Sequence, residues 1–421
     1  MRALYIFGSY LLLTLLFPLL ILHRKTRDGV LQRLGFYRPG ELPVGPGMCI
    51  WLHGASAGDL LALSPMLGPL RARFPGARIV VSTITNSGYL MARERLKGKV
   101  DAVVFAPWDV WGATRRAVKA IGPSLLVLEY TEIWPNLIRA VHDSGSRIAL
   151  TNGRFSPEHL GRYRALFNAI GNPLAEVDLF LMREEDEAER VLSLGAERSR
   201  VIVTGNTKFD ALVPLADGEE DRALRAALGI GAGDRVWIAG STHDGEEQAL
   251  LDVYRRLLAD FPDLRMVIAP RYIERAGKVC ALAAGVGLHA ALRSAGDPKG
   301  AQVVVLDTIG ELSRAYQLAT LVFVGGSFIT RGGQNILEPA AHGRPVLFGP
   351  HMENFRDSVQ VLVGRGGIQV NDPDHLHRVI ADLMSRPDTL VSLGELARSA
   401  VRQVSGASAR NVEHLSRLLS T

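Results

Sequence analysis

Two acidic side chains follow short apolar runs in the first half of the sequence, where a general base could act. Asp59 ends the glycine-rich segment His53–Asp59, and Glu132 stands in the segment Leu128–Asn136. A carboxylate in such a position can take the proton of an attacking hydroxyl group. Asp59 is also suited to capping the helix that begins near it, which is the more common role of Asp at such a place. Glu132 is harder to explain structurally, because a carboxylate at a strand end is costly unless it is exposed or paired.

Small and basic residues near these acids could bind a substrate. Ser56 and Gly58 lie in the first loop, and residues this small let a ligand approach the backbone closely. Three arginines, Arg154, Arg162 and Arg164, follow a later apolar run. They are consistent with solvated surface charge and equally with a patch that binds anions.

The second half of the sequence carries residues suited to an anionic ligand. Ser241, Thr242 and His243 follow an apolar run and precede a predicted helix, whose N-terminal N–H groups attract anions. Arg271 follows the next apolar run, and its guanidinium group matches phosphate or carboxylate geometry. Farther on, a glycine-rich turn feeds a helix that could receive a phosphate, and Glu338 could hold a ribose hydroxyl group. The candidate residues of this turn are Gly325, Gly326, Ser327, Gly333 and Asn335.

Two nucleotide-binding fingerprints are absent from the sequence. No G-x-G-x-x-G directly follows the first apolar run, which argues against a nicotinamide cofactor, and no G-x-x-x-x-G-K-[ST] is present. The only Asp-x-Asp sequence, Asp372–Asp374, precedes a predicted helix. It is interpreted as a helix cap and not as a metal site.

The candidate residues must be positioned by the elements around them, and in the sequence short apolar runs alternate with helical stretches. This pattern predicts βαβ units around mostly parallel sheets, with ligands beyond the carboxyl ends of the strands. Helices are predicted at 59–73 and 110–121, among others. The predicted fold class is α/β, with two Rossmann-like domains that face each other across a cleft. The predicted strands are 49–52, 79–82, 102–105, 125–128, 148–150, 201–203, 236–239, 265–268, 303–306, 321–324 and 346–348.

The composition changes at residues 214–234, which are rich in Asp, Glu, Ala and Gly and indicate a linker with a short exposed helix. We predict an N-terminal Rossmann-like domain at 31–213 and a C-terminal one at 235–395. Residues 396–421 are predicted to form a helical tail, and residues 1–30 an anchor with a basic flank.

The anchor prediction depends on the length and the flanks of the first apolar stretch. Residues 3–22 contain no charged side chain, and as a helix they would rise about 30 Å, the thickness of a bilayer core. His23, Arg24 and Lys25 follow, which favours a cytoplasmic location for the rest of the chain. A cleaved signal peptide is the competing interpretation, but small residues are missing after the apolar run. A helix buried in the core is the third.

The overall composition excludes several classes of protein. The chain has 421 residues, of which 47% are hydrophobic and 22% are charged, so it is neither disordered nor too short for two domains. Its two cysteines, Cys49 and Cys280, exclude a disulfide framework and a cysteine-based zinc site. The net charge of +5 does not indicate a nucleic-acid-binding protein, although it suits an anionic substrate or membrane surface.

The motifs occur in an order that resembles the 3-deoxy-D-manno-octulosonic acid (Kdo) transferases of lipopolysaccharide synthesis. The resemblance covers nearly the whole chain, and several motifs in the same order are highly specific. The motifs are Arg33–Gly35, His53–Asp59, Thr131–Asn136, Gly205–Asp210, Gly240–His243, Pro270–Arg271, Gly325–Pro339 and Leu347–Pro350.

The resemblance implies a fold, a reaction and a location. The family has the GT-B fold, needs no metal and transfers Kdo from CMP-Kdo to a lipid A precursor. It works at the cytoplasmic face of the bacterial inner membrane. For this chain it implies an inverting displacement with oxocarbenium character, with CMP-Kdo, the lipid A precursor and the inner membrane as partners and with no cofactor.

The resemblance also implies roles for the candidate residues. Asp59 occupies the place of the family's general base, which is a Glu. Glu338 would hold the ribose of the donor. The residues expected to bind the donor are Lys208, Ser241, Thr242, His243, Arg271, Gly325, Gly326, Ser327, Gly333, Asn335 and Glu338. Those expected to bind the acceptor are Ser56, Gly58, Glu132, Arg154, Arg162 and Arg164.

Four positions depart from the family pattern. Asp59 is shorter than Glu by one methylene group, Tyr130 stands where an acid is usual, and Tyr272 and Gln334 replace histidines. Because these changes affect both domains, two alternatives stay open. One is a GT-B transferase with another donor or acceptor, and the other is a membrane-anchored homologue that binds its ligands with weakened catalysis.

Overall fold

This computed structural model describes residues 2–23, 27–212, 219–231, 233–296, 298 and 300–420. Two parts of the predictions lie outside the described residues, namely Arg24 and Lys25 of the basic flank and residues 213–218 at the predicted linker. The chain divides into two compact units. Unit 1 comprises Met1–Ala211 and Ser405–Thr421, and unit 2 comprises Leu212–Val404.

Unit 1 contains a seven-stranded parallel sheet within its described residues, with the strand order β3-β2-β1-β4-β5-β6-β7. Its near-continuous apolar strands are buried on both faces, as expected where helices cover a parallel sheet. Six of the strands were predicted from the sequence, and β6 was missed. The strands are β1 Cys49–His53, β2 Arg78–Thr83, β3 Ala102–Phe105, β4 Leu125–Glu129, β5 Arg147–Gly153, β6 Leu179–Met182 and β7 Val201–Val203.

Helices connect these strands and cover both faces of the sheet. The helix predicted at 59–73 is two helices joined by a short 3-10 turn at Ser64–Met66. The helices are α1 Arg2–Leu22, α2 Val30–Arg33, α3 Ala57–Leu63, α4 Leu67–Arg73, α5 Asn86–Arg95, α6 Trp111–Ile121, α7 Pro135–Asp143, α8 Leu160–Ile170 and α9 Glu185–Ser193. Among the described residues, no helix combines the length and the apolar character needed to cross a membrane.

Unit 2 repeats this architecture with a second seven-stranded parallel sheet in its described part, in the order β10-β11-β9-β8-β12-β13-β14. The α/β class with two parallel sheets is thereby confirmed. The prediction missed β10 and β14, which are three residues long and lie at the two edges of the sheet. The strands are β8 Arg235–Thr242, β9 Leu264–Pro270, β10 Ala290–Leu292, β11 Val303–Val305, β12 Leu321–Val324, β13 Val346–Phe348 and β14 Gly367–Gln369.

The helices of unit 2 begin with the short helix that was predicted inside the linker. Asp372 caps α16 by accepting a hydrogen bond from the His375 N–H group (2.7 Å), which agrees with its interpretation as a helix cap. The helices are α10 Glu219–Ala227, α11 Glu247–Leu257, α12 Ala276–Gly285, α13 Leu312–Ala315, α14 Leu337–Ala341, α15 Arg356–Leu362, α16 Pro373–Met384 and α17 Pro387–Val404.

The final helix, α18 (Ala407–Ser420), belongs to unit 1. Val412 and Leu415 of α18 lie in the same apolar core as Met66, next to α4. Asp210 accepts a hydrogen bond from the Ser408 N–H group (2.5 Å) and so fixes the start of α18. The boundary predicted at residue 396 falls inside α17, since the tail consists of two helices that pack on different units.

Candidate functional site

The loop after β1 holds Asp59 in a fixed orientation. Ser56 is the N-cap of α3, and its hydroxyl oxygen accepts a hydrogen bond from the Asp59 N–H group (3.4 Å). In return, Asp59 Oδ2 accepts a hydrogen bond from the Ser56 N–H group (2.8 Å). This reciprocal capping box occupies one carboxylate oxygen and leaves the other without such a bond. Asp59 is therefore a helix-capping residue whose partly exposed carboxylate can also act on a substrate.

A polar network connects the same loop to the loop after β4. The buried His53 side chain lies with Nδ1 2.9 Å from Ser82 Oγ, while its Nε2 is 3.4 Å from Glu132 Oε2. The Trp134 indole N–H group donates a hydrogen bond to Glu132 Oε2 (2.7 Å). Glu132 is thus paired, which removes the cost that made it hard to explain from the sequence.

Glu129, the last residue of β4, is a functional candidate to which the sequence analysis assigned no role. Its side chain is fully buried and accepts hydrogen bonds from Thr151 Oγ1 (2.8 Å) and Asn152 Nδ2 (2.9 Å). The pKa of Glu129 is raised to about 8. Burial is the largest cause and the charge of Asp59 raises the pKa further, while the two hydrogen bonds lower it. The protonated form of Glu129 therefore predominates near neutral pH.

Two residues beside Glu129 adopt a left-handed backbone conformation. Tyr130 has φ of 56° and Asn152 has φ of 55°, a conformation uncommon for residues other than glycine. The pKa of Tyr130 is raised to about 12 by burial and by Glu129, while Arg183 and Arg154 lower it. Such outliers gather at functional sites. We therefore group the ends of β4 and β5 with the Asp59 loop and call Asp59, Glu129 and Glu132 the acidic site.

The structure separates the basic candidates of unit 1. Arg154 lies near Tyr130, as their electrostatic interaction shows. Arg162 and Arg164 lie on the exposed surface of α8, where an Arg164 N–H group donates to Ser193 Oγ (3.2 Å) on α9. Lys208 is exposed and belongs to unit 1, whereas the other donor candidates belong to unit 2.

In unit 2, a buried glutamate ties two candidate loops together. Glu246 is 1% exposed, and its Oε1 accepts hydrogen bonds from the N–H groups of His243 (2.8 Å) and Gly326 (2.6 Å). Its Oε2 accepts a third from the Phe328 N–H group (3.4 Å). Burial raises the pKa of Glu246, and the backbone hydrogen bonds lower it. This carboxylate fixes the loop after β8 against the loop after β12.

His243 contacts Tyr272 and Gln334, the two residues that were expected from the sequence to replace histidines of the family. The Tyr272 ring lies edge-on to the imidazole with centroids 5.7 Å apart, and Gln334 Nε2 is 3.4 Å from His243 Nε2. Burial lowers the pKa of His243, and the positive charges of Arg331 and Arg271 lower it further. Arg331 is a further cation that the sequence analysis missed.

The remaining donor candidates divide into exposed and internal groups. The Arg271 side chain is exposed, and Ser241, whose φ is 56°, is half-buried at the end of β8. Asn335 Oδ1 accepts a hydrogen bond from the Leu337 N–H group (3.1 Å) at the start of α14. In the same helix, burial raises the pKa of Glu338, while a hydrogen bond with Ser313 lowers it.

The glycine-rich turn is closely packed and is held by internal hydrogen bonds. A Cβ atom at Gly325 would lie 2.6 Å from Glu246 Oε1, and Gly326 and Gly333 have φ of 67° and 77°. Only glycine adopts such conformations readily. Ser327 is fully buried, and its hydroxyl group donates to the Val324 carbonyl oxygen (2.6 Å) and accepts from the Gly349 N–H group (2.8 Å). Ser327 therefore shapes the turn from inside.

Two candidates remain, one buried and one exposed. Thr242 is buried, and its hydroxyl group donates to Glu247 Oε1 (3.4 Å). Gly58 is exposed in the first turn of α3.

Within the part of the chain that the structure describes, no group of three or more His, Cys, Asp or Glu side chains is arranged to hold a metal ion.

Comparison with known proteins decides the family. Residues 28–211 match the family model described as 3-deoxy-D-manno-octulosonic-acid transferase (kdotransferase). A 3-deoxy-D-manno-octulosonic acid transferase of Chlamydophila psittaci is 32% identical over 370 residues, which cover 87% of this chain and 84% of the relative. The chain belongs to the Kdo transferase family. It is thus an enzyme of a glycosyltransferase family, and the resemblance found in the sequence is confirmed.

Further relatives support this membership. The 3-deoxy-D-manno-octulosonic acid transferase of Haemophilus influenzae is 30% identical over 399 residues, covering 93% of this Kdo transferase family member and 91% of the relative. The one from Bordetella pertussis is 31% identical over 379 residues, covering 87% of this chain and 86% of the relative.

Solved structures agree on the fold of this family member. A UDP-GlcNAc 2-epimerase from Neisseria meningitidis has a TM-score of 0.60 at 13% identity, over 87% of this chain and 99% of that one. A glycosyltransferase from Rickettsia africae has a TM-score of 0.59 at 10% identity, over 90% of this chain and 100% of that one. At these identities the likeness concerns the fold alone, which is that of GT-B glycosyltransferases.

Proposed function

We propose that this protein transfers Kdo from CMP-Kdo to a hydroxyl group of a lipid A precursor with inversion at the anomeric carbon. The observation that carries the proposal is the match with named Kdo transferases over nearly the whole chain. The two candidate regions suit this reaction, since unit 1 offers carboxylates for an acceptor hydroxyl group and unit 2 offers cations for an anionic donor.

Asp59 is the proposed general base. The acceptor oxygen attacks the anomeric carbon of Kdo while its proton passes to the Asp59 carboxylate. The bond from the anomeric carbon to the CMP phosphate oxygen breaks, and CMP departs with the electron pair. The capping box with Ser56 supports this role, because it fixes the position of the carboxylate before the substrate arrives.

Unit 2 is proposed to hold the donor. The negative charge on the departing phosphate group needs electrostatic stabilisation more than it needs an acid. Arg271 and the backbone N–H groups near Ser241 and Asn335 would supply it, with Lys208 of unit 1 as a further cation. Glu338 would accept a hydrogen bond from a ribose hydroxyl group. With these groups we expect the reaction to need no metal ion and no other cofactor.

Unit 1 is proposed to hold the acceptor. Glu132 and the small residues Ser56 and Gly58 would contact its sugar, and Arg154 would contact a phosphate group. Helix α1 would attach the protein to the inner membrane with the catalytic units on the cytoplasmic side. The leucine-rich sequence of α1, which carries no charged residue after Arg2, supports membrane attachment, and the basic residues that follow it in the sequence support the cytoplasmic side.

Mass spectrometry of the lipid product tests the proposal directly. The purified full chain is incubated with CMP-Kdo and a lipid A precursor in detergent micelles. We expect the mass of the lipid to increase by that of one or more Kdo residues, with release of CMP. Absence of both turnover and CMP binding would contradict the proposal.

A second candidate function is favoured by one observation. Tyr272 and Gln334 both depart from the family pattern, and both lie against His243 in the proposed donor region. Such a cluster is placed to select a different sugar nucleotide. A screen of sugar nucleotides that finds CMP-Kdo as the sole donor would eliminate this candidate.

A further inference from the structure

Helix α1 is attached to the rest of unit 1 through polar contacts on one side. The Tyr5 hydroxyl group donates to Asp109 Oδ2 (2.8 Å), and the Gly112 N–H group donates to Tyr10 Oη (2.8 Å). Farther along the helix, Phe17 packs edge-on against Trp108 with ring centroids 6.0 Å apart. These contacts hold α1 beside the body of unit 1 and leave a space between them.

That space is an apolar groove of about 440 Å³. Leu13, Leu16 and Leu20 of α1 line one side, and Trp108 and Ile170 line the other. The lining extends along α1 from residue 5 to residue 20, which is about 22 Å at 1.5 Å per residue. Its volume lies within the range of small-molecule binding pockets.

The groove is unfilled by protein side chains. Leu12 and Leu16 line it, and they remain 58% and 38% exposed. Gly8 also lines it, and a Cβ atom added there would meet no atom within 4 Å. Apolar surface left open in this way is favourable to cover, and a contiguous patch of it marks an interaction site.

The groove shares a wall with the acidic site. Trp134 lines the groove, and its indole N–H group donates to Glu132 Oε2 (2.7 Å). Glu132 is in turn 3.4 Å from the Nε2 atom of His53, the residue that begins the Asp59 loop. An apolar chain in the groove would therefore continue into a polar group near the proposed base.

Positive charge lies on the same part of unit 1. Ile170, which lines the groove, is the last residue of α8, and this helix carries the exposed side chains of Arg162 and Arg164. An apolar groove, an adjoining acidic site and nearby arginines together suit an amphiphile with an acyl chain and an anionic sugar head group.

We infer that this groove binds one fatty acyl chain of the lipid acceptor and thereby positions the sugar of that lipid at the acidic site. The inference rests on the proposed function for the identity of the lipid. A bulk membrane phospholipid offers the same chemistry, but its head group would not place a sugar hydroxyl group beside Glu132 and Asp59. The groove is therefore assigned to the acceptor.

Binding without the donor tests the groove independently of catalysis. The ligands are the acylated lipid A precursor and its fully deacylated, phosphorylated sugar, each titrated into the full chain in detergent micelles. In Leu16→Trp, a larger side chain fills the groove, and in Gly8→Leu a side chain enters space that is open. Losing contact with about two methylene groups should weaken binding of the acylated ligand about tenfold in both variants. Binding of the deacylated sugar should stay unchanged.

The matched control is Leu15→Trp, which makes the same substitution on a side chain that is 68% exposed and does not line the groove. It should bind both ligands as the unaltered chain does, and excess phosphatidylglycerol should not displace the acylated ligand. The inference would be overturned if Leu15→Trp weakened binding of the acylated ligand as much as the groove variants do, or if neither groove variant weakened it. It would also be overturned if the groove variants weakened binding of both ligands equally, or if the phospholipid displaced the acylated ligand. Groove-dependent binding without any transfer from CMP-Kdo would contradict the proposed function alone.

Discussion

Glu129 in unit 1 and Glu246 in unit 2 are both buried near the carboxyl end of a strand, and the two carboxyl groups are held differently. In unit 1, the hydrogen bonds to Glu129 within the described part of the chain come from the side chains of Thr151 and Asn152. In unit 2, Glu246 accepts hydrogen bonds from three backbone N–H groups that belong to two loops. Burial raises the pKa of both, and for Glu129 the pKa reaches about 8.

This difference separates a titrating group from a structural one. Three backbone donors favour the charged carboxylate and fix loop geometry, which suits Glu246 for shaping the proposed donor region. Side-chain donors can rotate when the carboxyl group takes up a proton, so Glu129 can change its charge beside Asp59 without disturbing the backbone. We therefore expect unit 1 to control proton transfer and unit 2 to control donor binding.

The largest effect should come from removing the proposed base. Asp59→Ala should lower kcat by about 10²- to 10⁴-fold, because general base catalysis contributes that much. The measurement is the initial rate of CMP release at saturating CMP-Kdo and acceptor. Asp59→Glu is the matched control, and it should retain most of the activity because Glu also completes a capping box with Ser56. An unchanged rate in Asp59→Ala would show that Asp59 only caps α3.

Removing the structural glutamate should have the next largest effect. Glu246→Ala leaves the N–H groups of His243, Gly326 and Phe328 without their acceptor and should lower the free energy of unfolding by about 3 kcal/mol. Thermal or denaturant unfolding measures this loss. The exposed Glu274→Ala variant should differ from the unaltered chain by less than about 0.5 kcal/mol. If the two variants were equally stable, Glu246 would not have the structural role assigned to it.

Glu129→Gln should reveal the titration of the other glutamate. Because the pKa of Glu129 is raised to about 8 in the folded state, the native carboxyl group keeps a proton that the unfolded chain releases near pH 4.5. The unaltered chain therefore loses stability as the pH rises through this window. Gln cannot titrate, so the stability of the variant relative to the unaltered chain should increase by about 2 kcal/mol or more between about pH 5 and about pH 9.

Unfolding of both proteins across this pH range measures the difference. The exposed Glu158→Gln variant is the control, and its stability relative to the unaltered chain should change little with pH. A pH-independent difference for Glu129→Gln would mean that Glu129 is charged in the folded protein, and the contrast with Glu246 would disappear.

The smallest effect should come from the contact between Gln334 and His243. Their nitrogen atoms are 3.4 Å apart, which makes the interaction weak. Gln334→Leu should raise the KM for the donor by less than about fivefold with little change in kcat. Tyr272→Phe keeps the ring contact with His243 and should leave the KM unchanged. If Gln334→Leu raised the KM for the donor by more than about a hundredfold, Gln334 would instead be essential to donor recognition.

Much of the fold could be predicted because long apolar runs identify buried parallel strands. The exceptions have physical reasons. β10 (Ala290–Leu292) and β14 (Gly367–Gln369) are short, only partly buried edge strands with little apolar pattern. The run that forms β6, Leu179–Met182, was available as a signal, since it is apolar and lies between Asp178 and Arg183.

The site was predictable where its residues share a loop and not where distant strands create it. The Asp59 loop could be identified from its own sequence. Glu129 could not, because its burial and its partners Thr151 and Asn152 depend on β5 lying beside β4. Likewise, His243 and Gln334 are 91 positions apart along the chain and come together only after β12 has paired with β8.

Calorimetric titration with CMP tests most directly whether unit 2 controls donor binding while unit 1 controls proton transfer. The account predicts that Arg271→Ala weakens CMP binding about tenfold or more, since a charge-assisted hydrogen bond contributes about 1.5–3 kcal/mol. It predicts that Asp59→Ala binds CMP within about twofold of the unaltered chain. Weakened CMP binding in Asp59→Ala together with unchanged binding in Arg271→Ala would contradict the account.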